Sequence, residues 1–111
     1  MPSKLYYANG ALYANLDAHL REYFYEDGTL KTREPYQEGR LHGEVCLYWP
    51  NGQLKRRSQF CLGVRHGIDQ MWNDEGTLMD EGSYERGVAI GTHRRWTRDG
   101  ELIEEVYSGC Q

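Results

Sequence analysis

The sequence is short of long apolar runs, of cysteine pairs, of proline and of positive charge, and each shortage excludes something. The opening Met1-Pro-Ser-Lys-Leu-Tyr-Tyr-Ala contains nothing like the stretch of about seven or more apolar residues that a secretory signal carries. No segment approaches the roughly 20 apolar residues of a membrane-crossing helix, so a cytoplasmic protein is expected. Three cysteines, Cys46, Cys61 and Cys110, are an odd number without a C-x-x-C pair, as expected of reduced thiols rather than a disulfide framework. Nothing is rich in Pro or Ser and no low-complexity tract interrupts the chain, so no linker divides it. With 13 basic against 17 acidic side chains the net charge is −4, which argues against a protein that tracks phosphates and makes a basic partner the better electrostatic match.

What is present is aromatic and periodic. Aromatic residues make up 13% of the 111, with nine Tyr and three Trp, a composition that builds sheets more readily than helical bundles. Among the glycines that follow Asn, Asp or Glu, Gly10, Gly28, Gly52, Gly76 and Gly100 are each followed two places on by a leucine: Leu12, Leu30, Leu54, Leu78 and Leu102. From Gly28 onward the spacing is a constant 24 residues. An aromatic stands four places before the later turn glycines (Phe24, Tyr48, Trp72, Trp96), another eight places after (Tyr36, Phe60, Tyr84), and two further glycines close each unit, as in Gly39-Arg-Leu-His-Gly43. Agreement in so many columns over three periods marks a repeat.

Asn-Gly and Asp-Gly are read as type I′ hairpin tips, Glu75-Gly76 as a weaker form, and Gly-x-x-x-Gly as a longer reversal. Each unit is then two strands and two turns. Strands are expected near 11–15, 20–25, 30–36, 44–49, 54–60, 68–73, 78–84, 92–97 and 102–107, although 16–23 has some helical character. On an unbroken strand, Leu at +2 and the aromatic at +8 point to the same face. Neighbouring strands form an elongated antiparallel β-meander, advancing about 10 Å per repeat. The expected fold is all-β, a single domain over 1–111 of about four repeats. Residues 1–27 form a degenerate cap, 28–51, 52–75 and 76–99 are full repeats, and 100–111 are a terminal half repeat.

The units E-G-R-L-H-G-E-V-C-L-Y-W-P-N-G-Q-L and L-G-V-R-H-G-I-D-Q-M-W-N-D-E-G-T-L resemble the MORN repeat variant found in YwqK-type bacterial antitoxins, over about residues 20 to 107. The x-His-Gly step appears at Leu41-His42-Gly43 and Arg65-His66-Gly67 and departs at Ala89-Ile90-Gly91. The resemblance implies a β-repeat sheet, no enzymatic activity, no cofactor, and in many members a role as the antitoxin or immunity partner of a toxin. Related repeats also serve as scaffolds for protein or lipid-surface contacts, which is the alternative.

Chemistry was sought beside this. A zinc site from His42, Cys46, Cys61 and His66 fails on hairpin geometry: Cys61 falls opposite His42, and Cys46 lies four residues up the strand, about 13 Å away. No Ser or Cys sits at a recognisable nucleophile elbow, and His93 holds a position filled by Val45 and Asp69 elsewhere. The acidic groups Asp80-Glu81 and Glu101, Glu104-Glu105 read as solvated faces and edge protection. Lys55-Arg56-Arg57, Arg94-Arg95 and Arg98 mix with aromatics as in single-strand nucleic-acid binders, but alternation sends adjacent arginines to opposite faces of a net-acidic body.

A thin repeat sheet binds by its faces. The column residues Phe24, Tyr48, Trp72 and Trp96, with Gly43, Gly67 and Gly91, are expected to be structural. Partner binding is assigned to Tyr25, Trp49, Met71 and Arg95 on the opposite face, with Arg57 and Glu81 alongside. The expected partner is a protein, a cognate toxin acting in the cytosol, and pairing through the edge strand 102–107 is a route to a homodimer.

Overall fold

The computed structural model describes residues 3–108 and shows one antiparallel sheet, without a helix among the described residues. Its strands are β1 (Ser3–Tyr6), β2 (Leu12–Leu16), β3 (Leu20–Phe24), β4 (Leu30–Gln37), the short β5 (Arg40–Leu41), β6 (Gly43–Tyr48), β7 (Leu54–Cys61), β8 (Val64–Trp72), β9 (Leu78–Glu85), β10 (Val88–Trp96) and β11 (Leu102–Ser108). They lie side by side in chain order, with β5 paired only to β4. The principal extents are 47 × 36 × 14 Å, and the smallest is the thickness of a single sheet with side chains on both faces. The segment with helical character is a strand, a three-residue corner and another strand; Asp17 Oδ1 accepts the His19 N–H at 2.9 Å and holds the corner.

The two kinds of turn are the reverse of the sequence expectation. At Asn51-Gly52 the loop has three residues: Gly52 N–H bonds Trp49 C=O, Trp49 N–H bonds Gln53 C=O, both at 2.8 Å, and only Gly52 has positive φ. Asn51 serves by its side chain, whose Oδ1 accepts the Gln53 N–H at 2.9 Å. Asp27 and Asn9 do the same for Thr29 and Ala11. The two-residue turns with both φ values positive lie instead at Glu38-Gly39, Leu62-Gly63 and Arg86-Gly87, where the non-glycine φ values are 52°, 45° and 52°. Reversal is therefore complete at the first glycine of each Gly-x-x-x-Gly, and the strand restarts at Val64 and Val88, earlier than expected.

The three-residue loops before β11 bring a bulge with them. Tyr48 pairs with Leu54, yet Leu47 pairs with Arg56, so Lys55 is the extra residue; the same shift leaves Met79 extra on β9. The shift overturns the same-face reading of Leu54 and Phe60. Their partners, Tyr48 and Gly43, are an odd number of places apart on β6, so the two side chains leave by opposite faces.

Because the register is continuous, whole rows cross the sheet. Lys4, Asn15, Glu22, Arg33, Cys46, Arg57, Gln70, Glu81, Arg94 and Glu104 pair successively from edge to edge. Parts of this row are tied by side chains, from Arg57 Nη2 to Gln70 at 2.7 Å and from Arg94 Nε to Glu104 at 3.1 Å. A single layer has little interior: Ala14 and Cys46 are the buried apolar residues, Ser58 and Asp69 the buried polar ones, among the described residues. Burial is the main cause that raises the Cys46 thiol pKa, with the nearby Glu44 carboxylate adding to it. Cys61 is exposed, and Cys110 lies outside the described residues.

Candidate binding cleft

The repeat ties itself together at the turn ends, and two of the expected binding residues take part in the ties. The residue three places before each turn glycine reaches across to the next repeat: the Tyr7 hydroxyl donates to Phe24 C=O at 2.6 Å, the Tyr25 hydroxyl to Tyr48 C=O at 2.7 Å, and Trp49 Nε1 to Trp72 C=O at 3.1 Å. The residue six places on covers each ring, as Tyr13 edge-on to Tyr7 at 5.2 Å, Lys31 over Tyr25 at 5.5 Å and Lys55 over Trp49 at 4.6 Å. Tyr25 and Trp49 are thus half-buried ties between repeats. In the next unit the slot holds Asn73, whose Oδ1 accepts the N–H groups of Glu75 and Thr77 at 2.9 and 3.0 Å. Glu75 stands where Asn51 or Asp27 caps the earlier turns, so Asn73 supplies the cap in its place.

The histidines of the x-His-Gly step have a similar task. His42 Nδ1 accepts the Leu62 N–H at 3.1 Å while Leu41 C=O accepts the Gly63 N–H at 2.7 Å, so the step of one repeat grips the two-residue turn of the next. His66 and Arg65 repeat the grip on Arg86 and Gly87. His42 and Cys46 do not converge with Cys61 and His66, and no group of three or more His, Cys, Asp or Glu able to hold a metal ion occurs among the described residues.

The main hollow lies elsewhere, over β7 to β11 on the face opposite Trp72 and Trp96. It is a cleft of about 170 Å³ lined by Arg56, Asp69, Met71, Asp80, Gly82, Tyr84, His93, Arg94, Arg95, Ile103, Glu105 and Tyr107. Two adjacent rows build it: Met71, Asp80, Arg95 and Ile103 pair in succession, and Ser58, Asp69 and Gly82 in the next. Gly82 makes the cleft possible, since a Cβ there would collide with the His93 ring. His93 lies across this gap with Nε2 on Ser83 C=O at 3.0 Å, wedged edge-on between Tyr84 at 5.3 Å and Tyr107 at 4.7 Å.

The floor is an ionic knot. Asp69 accepts two bonds from Arg56, at 3.1 and 2.8 Å, and one from Ser58 at 2.8 Å, and Arg65 Nη1 stands 3.2 Å away. Burial would raise the Asp69 pKa, but the Arg56 and Ser58 hydrogen bonds and the Arg56 and Arg65 charges outweigh it, so the net shift is downward. Ser58 and His93 share this face without sharing a bond: Ser58 donates to Asp69, Asp69 is held by arginines, and His93 is committed to Ser83. The rim is more exposed. Met71 and Ile103 are 36% and 44% exposed, and Arg95, held to Asp80 at 3.4 Å, keeps 64% of its side chain in solvent.

Of the residues singled out in the sequence, Met71 and Arg95 therefore meet in the cleft. Arg57 and Glu81 lie in the polar row on the face of Trp72, not beside them as expected; Arg57 Nε faces Glu44 at 3.6 Å and Glu81 holds Arg94 at 3.4 Å. Tyr84, His93 and Tyr107 were missed. Tyr84 is legible as a +8 column aromatic, but Tyr107 stands one place out of that column because β11 lacks the bulge of its equivalents.

The family described as MORN repeat variant matches residues 20–38 and 41–61, which are β3 to β7 with their turns. No curated protein matches the chain. Among solved structures, a chain of the "Crystal structure of GtfA/B complex bound to UDP and GlcNAc" aligns with a TM-score of 0.44 and 13% identity, over 96% of this chain and 27% of that one. This chain therefore spans about a quarter of that protein's length. Residues 20–61 are thus similar to two units of the MORN repeat variant, and the turns and inter-repeat ties described above fall within and beside them.

Proposed function

We propose that the chain is a non-catalytic binding module for a protein partner, and that this partner is a toxin acting in the cytosol, which it neutralises by direct contact. The observation that carries the binding reading is the rim of the cleft, where Met71, Ile103, Tyr107 and Arg95 stand exposed around a rigid ionic floor. Aromatic and arginine side chains around a concave centre are the composition of interaction hot spots. The floor favours binding over chemistry, because its carboxylate, hydroxyl and imidazole are each committed to a structural bond. The toxin is argued from the resemblance of the repeat units to those of YwqK-type antitoxins, and blockade would consist in covering the toxin's active site or substrate channel.

The test is a pull-down of the tagged chain from its native host. A single toxin-like protein recovered in a one-to-one ratio, lost with Arg95→Ala and kept with Trp49→Phe, is the expected result. Recovery of abundant proteins or lipids alone would replace the toxin with the general scaffold reading. Recovery that Arg95→Ala and Tyr107→Ala leave intact would remove the cleft as the contact.

A further inference from the structure

The two edges of the sheet complement each other. Much of the exposed large apolar surface lies on the edge strands: Leu5 (46%) and Tyr6 (61%) on β1, Leu102 (49%), Ile103 (44%) and Val106 (80%) on β11. Backbone geometry matches as well. Thr97 N–H bonds Glu101 C=O and the β10–β11 register is unbroken, so alternation turns the polar groups of Ile103 toward β10 and those of Leu102 and Glu104 outward. On β1, Tyr7 N–H bonds Ala11 C=O, so Leu5 serves β2 while Lys4 and Tyr6 face outward. Ten strands alternate along the sheet, so β1 runs opposite to β11 and a second β1 would continue the alternation. The polar row puts Lys4 and Glu104 on the same face.

We propose that a second copy of the chain docks head to tail, its β1 antiparallel to β11 of the first, with Lys4 opposite Glu104, Leu5 opposite Ile103 and Tyr6 opposite Leu102. This register satisfies direction, face and hydrogen-bond parity together, and it pairs opposite charge with charge and apolar with apolar. It repeats a step made inside the chain, where Glu81 on β9 lies opposite Arg94 on β10 and holds it at 3.4 Å. A two-fold pair of β11 strands centred on Glu104 or on Glu105 would set that glutamate against its own copy. The contact is heterologous, so a pair of copies leaves one β1 edge and one β11 edge unused and growth continues beyond a dimer, to a ring or a filament. A strand of four residues makes a small contact beside the roughly 1,200 Å² of a stable complex, so assembly rises with concentration.

Sedimentation of the full chain over a concentration series tests this, with folding of each variant followed by circular dichroism. The average mass of the wild type is expected to pass that of a dimer as concentration rises. Lys4→Glu and Glu104→Lys, each alone, should raise the concentration required by about fivefold, because like charges then face each other. An equimolar mixture of the two should return to the wild-type curve, since every junction regains an opposite pair, a recovery that misfolded variants would not show. A monomer throughout, growth that stops at a dimer, single variants that assemble as the wild type does, or a mixture no better than its components would each overturn the proposal.

Discussion

Asp69 shows how one residue can hold a sheet that has almost no core. The residue is 8% exposed, and its carboxylate gathers Arg56, Ser58 and Arg65 from β7 and β8 at one point. Its folded-state pKa is below the ordinary 3.8, the Arg56 and Ser58 bonds overcoming burial. The linkage follows in sign: the stabilisation is complete above pH 3.8 and is lost as pH falls through the lowered folded value. Asp69→Asn should cost about 2 kcal/mol at neutral pH, less than a fully buried pair would because Arg56 keeps 28% of its side chain exposed. The variant should also lose part of the acid-dependent decline in stability. Urea melts at pH 7 and below pH 4 read both effects, and an unchanged acid limb would show that the knot contributes nothing.

At the level of the element, the turn is what the repeat propagates. Each three-residue loop before β11 brings a bulge on the following strand and, until Asn73, an aromatic donor aimed at the next repeat's backbone. Trp49→Phe keeps a ring of related size under Lys55 and removes only the donor to Trp72 C=O, so it should destabilise by about 1 kcal/mol. Tyr25→Phe should do the same through Tyr48 C=O. Thermal melts that move for neither would make the ties incidental. The same slot was legible as a column but not as a tie. The Asn or Asp before glycine is a familiar turn signal, yet its use as a side-chain cap, and Asn73's substitution for it beside Glu75, depend on which N–H groups the folded loop leaves unmet. Leu54 and Phe60 looked like one face because counting by two assumes no extra residue, and Lys55 is that residue.

As a whole the molecule is a one-dimensional array in which each strand is held by its two neighbours. Protection from hydrogen exchange should therefore be greatest in β7 and β8, which carry Ser58 and Asp69, and least in β1 and β11, which among the described residues each pair on one side only and are exposed along their described lengths. Uniform protection from β1 to β11 would show instead that the sheet opens as one unit. If the edges join as proposed, protection of both edge strands should rise with concentration while that of β7 stays level.

The amino-acid order alone determined the all-β class, the antiparallel meander and the positions of most strands, because turn residues and β-forming side chains act over a few residues and are written side by side. It also placed Met71 and Arg95 among binding candidates, and the structure seats both in the cleft. Only the tertiary structure decided which turn is which, since bulge and loop length are settled by the bonds each reversal completes. Only the register, accumulated strand by strand, brought His93 over Gly82, set Tyr84 and Tyr107 around it, and separated Arg57 and Glu81 from that face. A one-residue shift moves a side chain through the sheet, and no local pattern records it.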